Sequence, residues 1–271
     1  MKHTTESVIK VEWSKTLKRF SRSQVKHLVS IGVLLGEGNY GSVFKISGLL
    51  GQNAPPLILK VSKKEFFSND LKDEAHFLHL LDCAGGAPKL LAYSQDPPTI
   101  MTTYAGDQTL RKLLQNSDHG LSNSQLLEIA IGIGERLMEI HLLDVVHNDL
   151  HWENVLVTLP TADQDLQLSL IDYGLAKMAG ENLHLQSGTA VNQVWMCPQV
   201  RDGVCSTFKS DVYSYGIILT QILDQLTCDI FQELADLIDA ACEYESCDRP
   251  PLRALLQRLE CTLEDVRLRG V

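Results

Sequence analysis

The feature that most constrains this chain is a change of hydrophobic period. From Val29 to Lys64 apolar residues come in short runs cut by glycine and proline: a run into GEGNYG, then SVFKI, the polar turn GLLGQNAPP, and LILKV. Such punctuation predicts three short strands. In SNDLKDEAHFLHLL the period lengthens, so that Leu71, Ala75, Leu78 and Leu81 share one helical face, with Ser68 or Asn69 as its cap. Strand patterns around KLLAY and TIMTTY complete a small sheet with one helix. After Gly106 the character is helical. Ser122 and Gln125 form a capping box ahead of an apolar helix running through Leu142, and VLVTL and LQLSLI flank the polar turn PTADQD as a hairpin. Three more helices are expected: SDVYSYGIILTQIL, capped by Ser210; DIFQELADLIDAAC, with Ile230, Leu234, Leu237, Ile238 and Ala241 in register; and PPLRALLQRLE, with Pro251 in its first turn. The expected fold class is α+β, a small β-rich lobe before a larger, mainly helical one, without repeats or low-complexity tracts.

Composition narrows the function classes. At 271 residues, 44% hydrophobic and 21% charged, the chain has the make-up of a globular enzyme. No apolar run approaches the roughly eighteen residues of a membrane span, and MKHTTESVIK lacks a secretory apolar stretch. The expectation is an intracellular protein, cytoplasmic with the nucleus as the alternative, and no membrane partner. The seven cysteines are odd in number and form no C-x-x-C pair, which argues for reduced, mostly buried thiols and against a zinc site. A net charge of -10 disfavours nucleic-acid binding, whose affinity comes largely from Lys and Arg on phosphates. One local exception, Lys15, Lys18, Arg19, Arg22 and Lys26, reads as a solvated helix face or arm in preference to a docking site for an acidic partner.

The chemistry-bearing residues follow one another in a consistent order. Gly36, Gly38 and Gly41 lie between two strand candidates, the context of a hairpin lid whose backbone N–H groups approach phosphates, and Val43 follows two residues on. Lys60, in LILKV, brings an ammonium suited to phosphate oxygens, and Glu74 on the next helix brings a carboxylate to hold it. In VVHNDLHWENVLV the spacing H-x-D-x-x-x-x-N sets Asp149 to face an attacking hydroxyl and Asn154 to offer an amide oxygen to Mg2+, while Asp172 in LIDYG adds a hard oxygen ligand. Each has a bland reading when alone: a strand lysine is ordinarily an edge residue, a helix glutamate a surface one, loop Asp and Asn turn formers. Five such signals in one order outweigh those readings.

Together they resemble a eukaryotic-type protein kinase from about Val29 to Leu263. The resemblance rests on GEGNYGSV, LILK, Glu74, TTYAG, HNDLHWEN, DYG, WMCPQ, SDVYSYG and CDRP, which match the glycine-rich loop, the strand lysine, helix C, the hinge, H-R-D-L-K-x-x-N, D-F-G, Y-M-A-P-E, helix F and the late arginine. It implies a bilobal fold, with residues 1–28 a basic extension, 29–101 the N-lobe, 102–106 the hinge and 107–271 the C-lobe. ATP would then be bound by Gly36, Glu37, Gly38, Asn39, Gly41, Val43, Lys60, Thr102 as gatekeeper, Tyr104 and Ala105 in the hinge, and Leu156 opposite Val43. Asn154 and Asp172 would hold Mg2+, and Asp149, Lys60, Glu74 and His151 would form the catalytic set. His147, Tyr173, Leu78 and Tyr93 would stack as a regulatory spine. The implied substrate is a Ser/Thr hydroxyl of a protein, with a regulatory protein partner.

Several residues depart from that pattern. Asn148 stands where the family has an arginine that pairs with a phosphorylated loop, so a constitutively competent or partner-controlled enzyme is expected. His151 replaces a lysine, and with a reference pKa of about 6.5 it would make catalysis slower and more pH-sensitive. The wording H-x-D-L-H also resembles aminoglycoside and choline kinases, which leaves a small-alcohol kinase as one alternative. A pseudokinase is the other, supported by Asn148, His151 and Ile58, whose bulk would press on adenine. Gln199 replaces the glutamate that pairs with the late arginine, Arg249. Between Leu223 and Asp229 there is little room for the family's helix G. Thr189 takes the position of a threonine that bonds the base in Ser/Thr kinases. Glu153 either favours a basic residue near the acceptor or is solvated.

Overall fold

In the computed structural model, which describes residues 17–38, 41–62, 68–116, 119–183, 193–228 and 232–270, the glycine- and proline-cut runs pair as expected. Strands β1 (Val33–Glu37), β2 (Gly41–Ile46), β3 (Leu57–Ser62), β4 (Leu90–Gln95) and β5 (Pro98–Thr103) form one antiparallel sheet in the order β1-β2-β3-β5-β4. Side chains alternate across it. Leu57 and Leu59 enter a core with Phe20, Val25, Leu28, Ile46, Ala92 and Met101, so Ile58 and Lys60 project from the other face.

That core adds a second helix to the one expected in this region, and of the two readings of the basic stretch it is the solvated helix face that forms, with Arg22 and Lys26 exposed. Helix α1 (Arg22–Ile31) includes Val29, Ser30 and Ile31, placed above in a strand run, and it buries Val25 and Leu28. Its start is a capping box: Ser21 Oγ accepts from the Gln24 N–H at 3.3 Å and Gln24 Oε1 from the Ser21 N–H at 2.8 Å. The signal was present in SRSQ and in the i, i+3, i+4 spacing of Val25, Leu28 and Val29. Lys15 lies outside the described residues. Helix α2 (Ser68–Leu81) forms on the expected face and buries Leu71, Ala75, Leu78 and Leu81, but Ser68 and Asn69, expected as its cap, lie inside it, and the residue before it is outside the described residues. These elements make up one of two units, which ends at Cys83 and takes up again over Ala87–Ala105.

The second unit holds Ala84–Gly86 and the chain from Gly106 onward. At its centre is α4 (Asn123–His141), preceded by the short α3 (Leu110–Gln115) and begun by the predicted Ser122–Gln125 box. Around it lie α6 (Phe208–Leu223) and α8 (Leu252–Arg269), with α7 (Gln232–Ala241) against both of these and α5 (Pro198–Arg201) ahead of α6. Close approach is built in at Gly134, where a Cβ would come within 2.6 Å of Leu256 and 2.7 Å of the Tyr215 hydroxyl. The predicted hairpin is β7 (Val155–Thr158) with β8 (Gln167–Leu170), and β6 (Val145–Val146) pairs with β9 (Lys177–Met178). Two caps differ from expectation: Thr207 takes the N-cap of α6, with Ser210 its reciprocal partner three residues on, and Pro251 is the N-cap of α8, outside its first turn. Asp224–Cys228 is turn and irregular chain; Asp229 and Ile230 lie outside the described residues. All seven cysteines are free, but only Cys197 is buried, against the expectation of mostly buried thiols. Among the described residues no helix is long and apolar enough to cross a membrane.

Candidate active site

In the first unit, β1 and β2 form the hairpin of the glycine-rich stretch, with the Gly38 N–H donating to Gly41 O at 2.9 Å. The three glycines differ in cause. Cβ atoms at Gly36 and Gly38 would meet nothing within 4 Å, leaving open space over the loop. At Gly41 a Cβ would stand 2.4 Å from Val61 O, so β3 itself requires this glycine. Glu37 ends β1, exposed, and Asn39 lies outside the described residues. Register then places Val43 beside Lys60 and Lys60 beside Ile100. Lys60 Nζ meets Glu74 Oε2 at 2.7 Å, with side chains 17% and 7% exposed, which fixes the ammonium on the sheet face away from the Leu57–Leu59 core. Thr102 is buried in β5 opposite Ile58. Tyr104 receives Lys45 twice over, by a hydrogen bond to its hydroxyl at 3.0 Å and by the ammonium 4.2 Å from its ring centre, and Ala105 follows half-buried. Leu78 and Tyr93 are buried.

In the second unit the candidate catalytic loop is held by α6. Asp211, on the first turn of α6 and fully buried, accepts from the backbone N–H groups of His147 (2.8 Å) and Asn148 (2.9 Å) and lies 2.9 Å from His141 Nε2. Asn148 takes a left-handed conformation, φ 63°, which asparagine tolerates better than most residues, and its Nδ2 donates to Leu175 O at 3.1 Å. His147 accepts at Nδ1 from the Asp149 N–H (3.3 Å), which leaves Nε2 to donate to Ile171 O (3.1 Å). Complete burial holds the His147 pKa below its ordinary value, so the ring is neutral there. It lies 4.8 Å from the Tyr173 ring.

The hairpin carries the metal-ligand candidates. Asn154 precedes β7 and Asp172 follows β8, and the Ile171 N–H donates to Asn154 O at 3.0 Å. Asn154 Nδ2 donates to Asp149 O (2.9 Å) and Asp149 Oδ2 (3.3 Å), so its Oδ1 is left for a ligand. Asp172 is also left-handed, φ 65°. Among the described residues no three His, Cys, Asp or Glu side chains cluster as a metal site. One carboxylate and one amide oxygen nevertheless fit Mg2+, which keeps waters and takes substrate phosphates in its shell. Leu156 is buried in β7.

Two neighbours of Asp149 differ from expectation. His151 lies 3.9 Å from Asp149 Oδ1, and burial pushes its pKa down to about 4, so it is neutral at pH 7 and not the near-neutral titrating group expected above. Trp195 Nε1 donates to Asp149 Oδ1 at 2.8 Å. Neither this contact nor the anchoring by Asp211 was assigned from sequence, although WMCPQ and SDVYSYG contain both residues; the partners are 46 and 63 residues apart in the chain. Glu153 pairs with Arg111 at 2.6 Å, and Arg111 also lies over Trp152, so its charge is shared within the chain. Arg249 donates to Gln199 Oε1 at 2.6 Å, keeping the expected pair. Thr189 lies outside the described residues.

Comparison with known proteins places these features. The family profile for protein tyrosine and serine/threonine kinases matches residues 29–229. Calmodulin-binding receptor-like cytoplasmic kinase 3 of Arabidopsis thaliana is 30% identical over 200 residues, 70% of this chain and 38% of the relative. Tyrosine-protein kinase csk-1 of Caenorhabditis elegans is 30% identical over 198 residues, 72% of this chain and 35% of the relative. RGS domain-containing serine/threonine-protein kinase A of Dictyostelium discoideum is 32% identical over 123 residues, 45% of this chain and 10% of the relative. The chain thus spans well under half the length of these relatives.

Proposed function

The chain belongs to the protein kinase family, and from that premise we propose that it transfers the γ-phosphoryl group of Mg2+-ATP to a serine or threonine hydroxyl of a protein substrate. The observation that carries this reading is the Asn154–Asp149 hydrogen bond, which joins base and metal-ligand candidate and turns Asn154 Oδ1 away for the metal. Lys60, held by Glu74, binds the α and β phosphates. Gly36 and Gly38 let backbone N–H groups approach them. Thr102, Tyr104, Ala105 and Val43, all of the first unit, take the adenine. When bound at Asn154 and Asp172, Mg2+ neutralises phosphate charge. Asp149 orients the acceptor hydroxyl and takes its proton.

The neutral Asn148–Leu175 bond supports activity without loop phosphorylation, because it ties the loop to the segment after DYG with no charge to satisfy. A regulatory partner and a cytoplasmic setting belong to the same proposal, the latter supported by seven free thiols. The test is transfer from γ-labelled ATP with Mg2+ to protein acceptors bearing Ser, Thr or Tyr and to small alcohols, comparing wild type with Lys60→Met and Asp149→Asn. Label on Ser/Thr protein acceptors, lost in both variants, is expected. Equal incorporation by all three chains refutes the roles, label on tyrosine or on alcohols redirects the acceptor, and strict dependence on a phosphate between Leu175 and Val194 refutes the regulatory part.

A further inference from the structure

Asp149 is held from two sides, and the second is unusual in its chemistry. On one side Asn154 Nδ2 reaches Oδ2 at 3.3 Å; on the other the indole N–H of Trp195 donates to Oδ1 at 2.8 Å, the shorter bond. An indole nitrogen is a donor only, so this bond has one polarity. His151 packs tilted against the same indole, ring centres 4.4 Å apart and planes inclined by 36°.

The indole is itself fixed. Ser214 Oγ donates to the Trp195 carbonyl at 2.7 Å, and Trp195 packs on the buried group Leu183, Met196, Cys197 and Val200. Ser214 stands three residues beyond Asp211 on α6, hence on the same face, and Asp211 holds the backbone at His147 and Asn148. A single helix therefore sets the distance between the indole and the base. We propose that Trp195, steadied by the His151 ring, is a positioning residue for phosphoryl transfer, its N–H pinning one carboxylate oxygen of Asp149 so that the other is aimed at the acceptor hydroxyl. An uncharged donor and a stacking ring do here what a cation would do by charge. The role rests on the kinase reading above; the contact does not.

The full-length chain, labelled with nitrogen-15 at its tryptophan side chains, separates the two. The indole resonance missing from Trp195→Phe identifies Trp195. In Asp149→Ala that resonance moves upfield while the Trp152 resonance stays. Steady-state transfer by Trp195→Phe then shows kcat lowered about tenfold, the loss of one hydrogen bond to a charged group, with KM for ATP within about twofold. Trp195→His, which keeps a ring N–H, recovers part of that loss, and no recovery means that the indole is structural filler. An unmoved resonance in Asp149→Ala removes the contact and overturns the proposal, as does an unchanged kcat in Trp195→Phe or a rise in KM for ATP alone. A wild-type chain that shows the resonance shift but transfers no phosphate overturns the kinase reading and the role with it, a result distinct from a missing contact.

Discussion

Tyr173, in DYG, buries a hydroxyl that the fold does not use. The side chain is fully buried, and among the described residues Oη has no hydrogen-bond partner. Burial pushes the phenol pKa far up, so the group is a neutral O–H throughout the working range. A buried, unpaired hydroxyl costs about 1–3 kcal/mol relative to water. Tyr173→Phe removes the oxygen and keeps the ring against His147; the void left is smaller than a water and costs a few tenths of a kcal/mol at about 24 cal/mol per Å3. The expected net gain is about 1–2 kcal/mol. For a unit of this size that raises Tm by about 2–8 °C. Because the two units need not unfold together, the assay is tryptophan fluorescence in a Trp13→Phe background, where Trp152 and Trp195 report the second unit. An unchanged or lowered midpoint would refute the reasoning, because it would mean that the hydroxyl has a partner in solution.

Three further outcomes follow from single contacts. His151 has a folded pKa of about 4 against about 6.5 unfolded, so the native chain binds fewer protons between those values: its stability contribution is complete above about pH 6.5 and falls as pH drops toward 4, by up to about 3 kcal/mol. His147 acts with the same sign. Urea unfolding at pH 7 and pH 5 should show a smaller loss in His151→Phe than in wild type, and equal losses would sink the assignment. Gly41→Ala drives a Cβ into Val61 O and is expected to destabilise the first unit by about 1–3 kcal/mol, whereas Gly36→Ala, with open space, leaves unfolding unchanged and lowers ATP affinity; thermal unfolding beside nucleotide titration checks both. Arg249→Met strips donors from Glu243 O, Tyr244 O, Lys209 O and Gln199 Oε1 and should cost about 3–5 kcal/mol by urea unfolding, a loss below about 1 kcal/mol being incompatible with that network.

What the sequence made legible has a common physical cause: it is local. Caps such as Ser122–Gln125, the hairpin around PTADQD and the face of α2 depend on neighbours a few residues away, and they form as expected. The candidate residues Lys60, Glu74, Asp149, Asn154 and Asp172 were legible because phosphate and Mg2+ chemistry demands particular heteroatoms in order. The buried side of helix α1 was missed for the opposite reason: its basic residues dominate its composition, while the burial of Val25 and Leu28 depends on Leu57, Ala92 and Met101, far along the chain.

The candidate catalytic loop shows why residue type alone under-determines the chemistry even where the motif is plain. A histidine at position 151 carries a reference pKa of about 6.5 in any sequence. Its burial holds the pKa down to about 4, so the small cationic fraction left at pH 7 disappears and the ring offers Trp195 an uncharged packing surface. Glycines at 36 and 41 are likewise one letter with two causes, space for a ligand at one and the approach of β3 at the other. For His151 and Gly41 the deciding partner, Trp195 or Val61, lies on another element. Asp211 and Ser214 bring such partners to Asp149, the candidate base, since one helix face holds both the loop backbone and the Trp195 carbonyl. A substitution on α6 that tilts this face should therefore disturb Asp149 more than a change of charge in the loop around it.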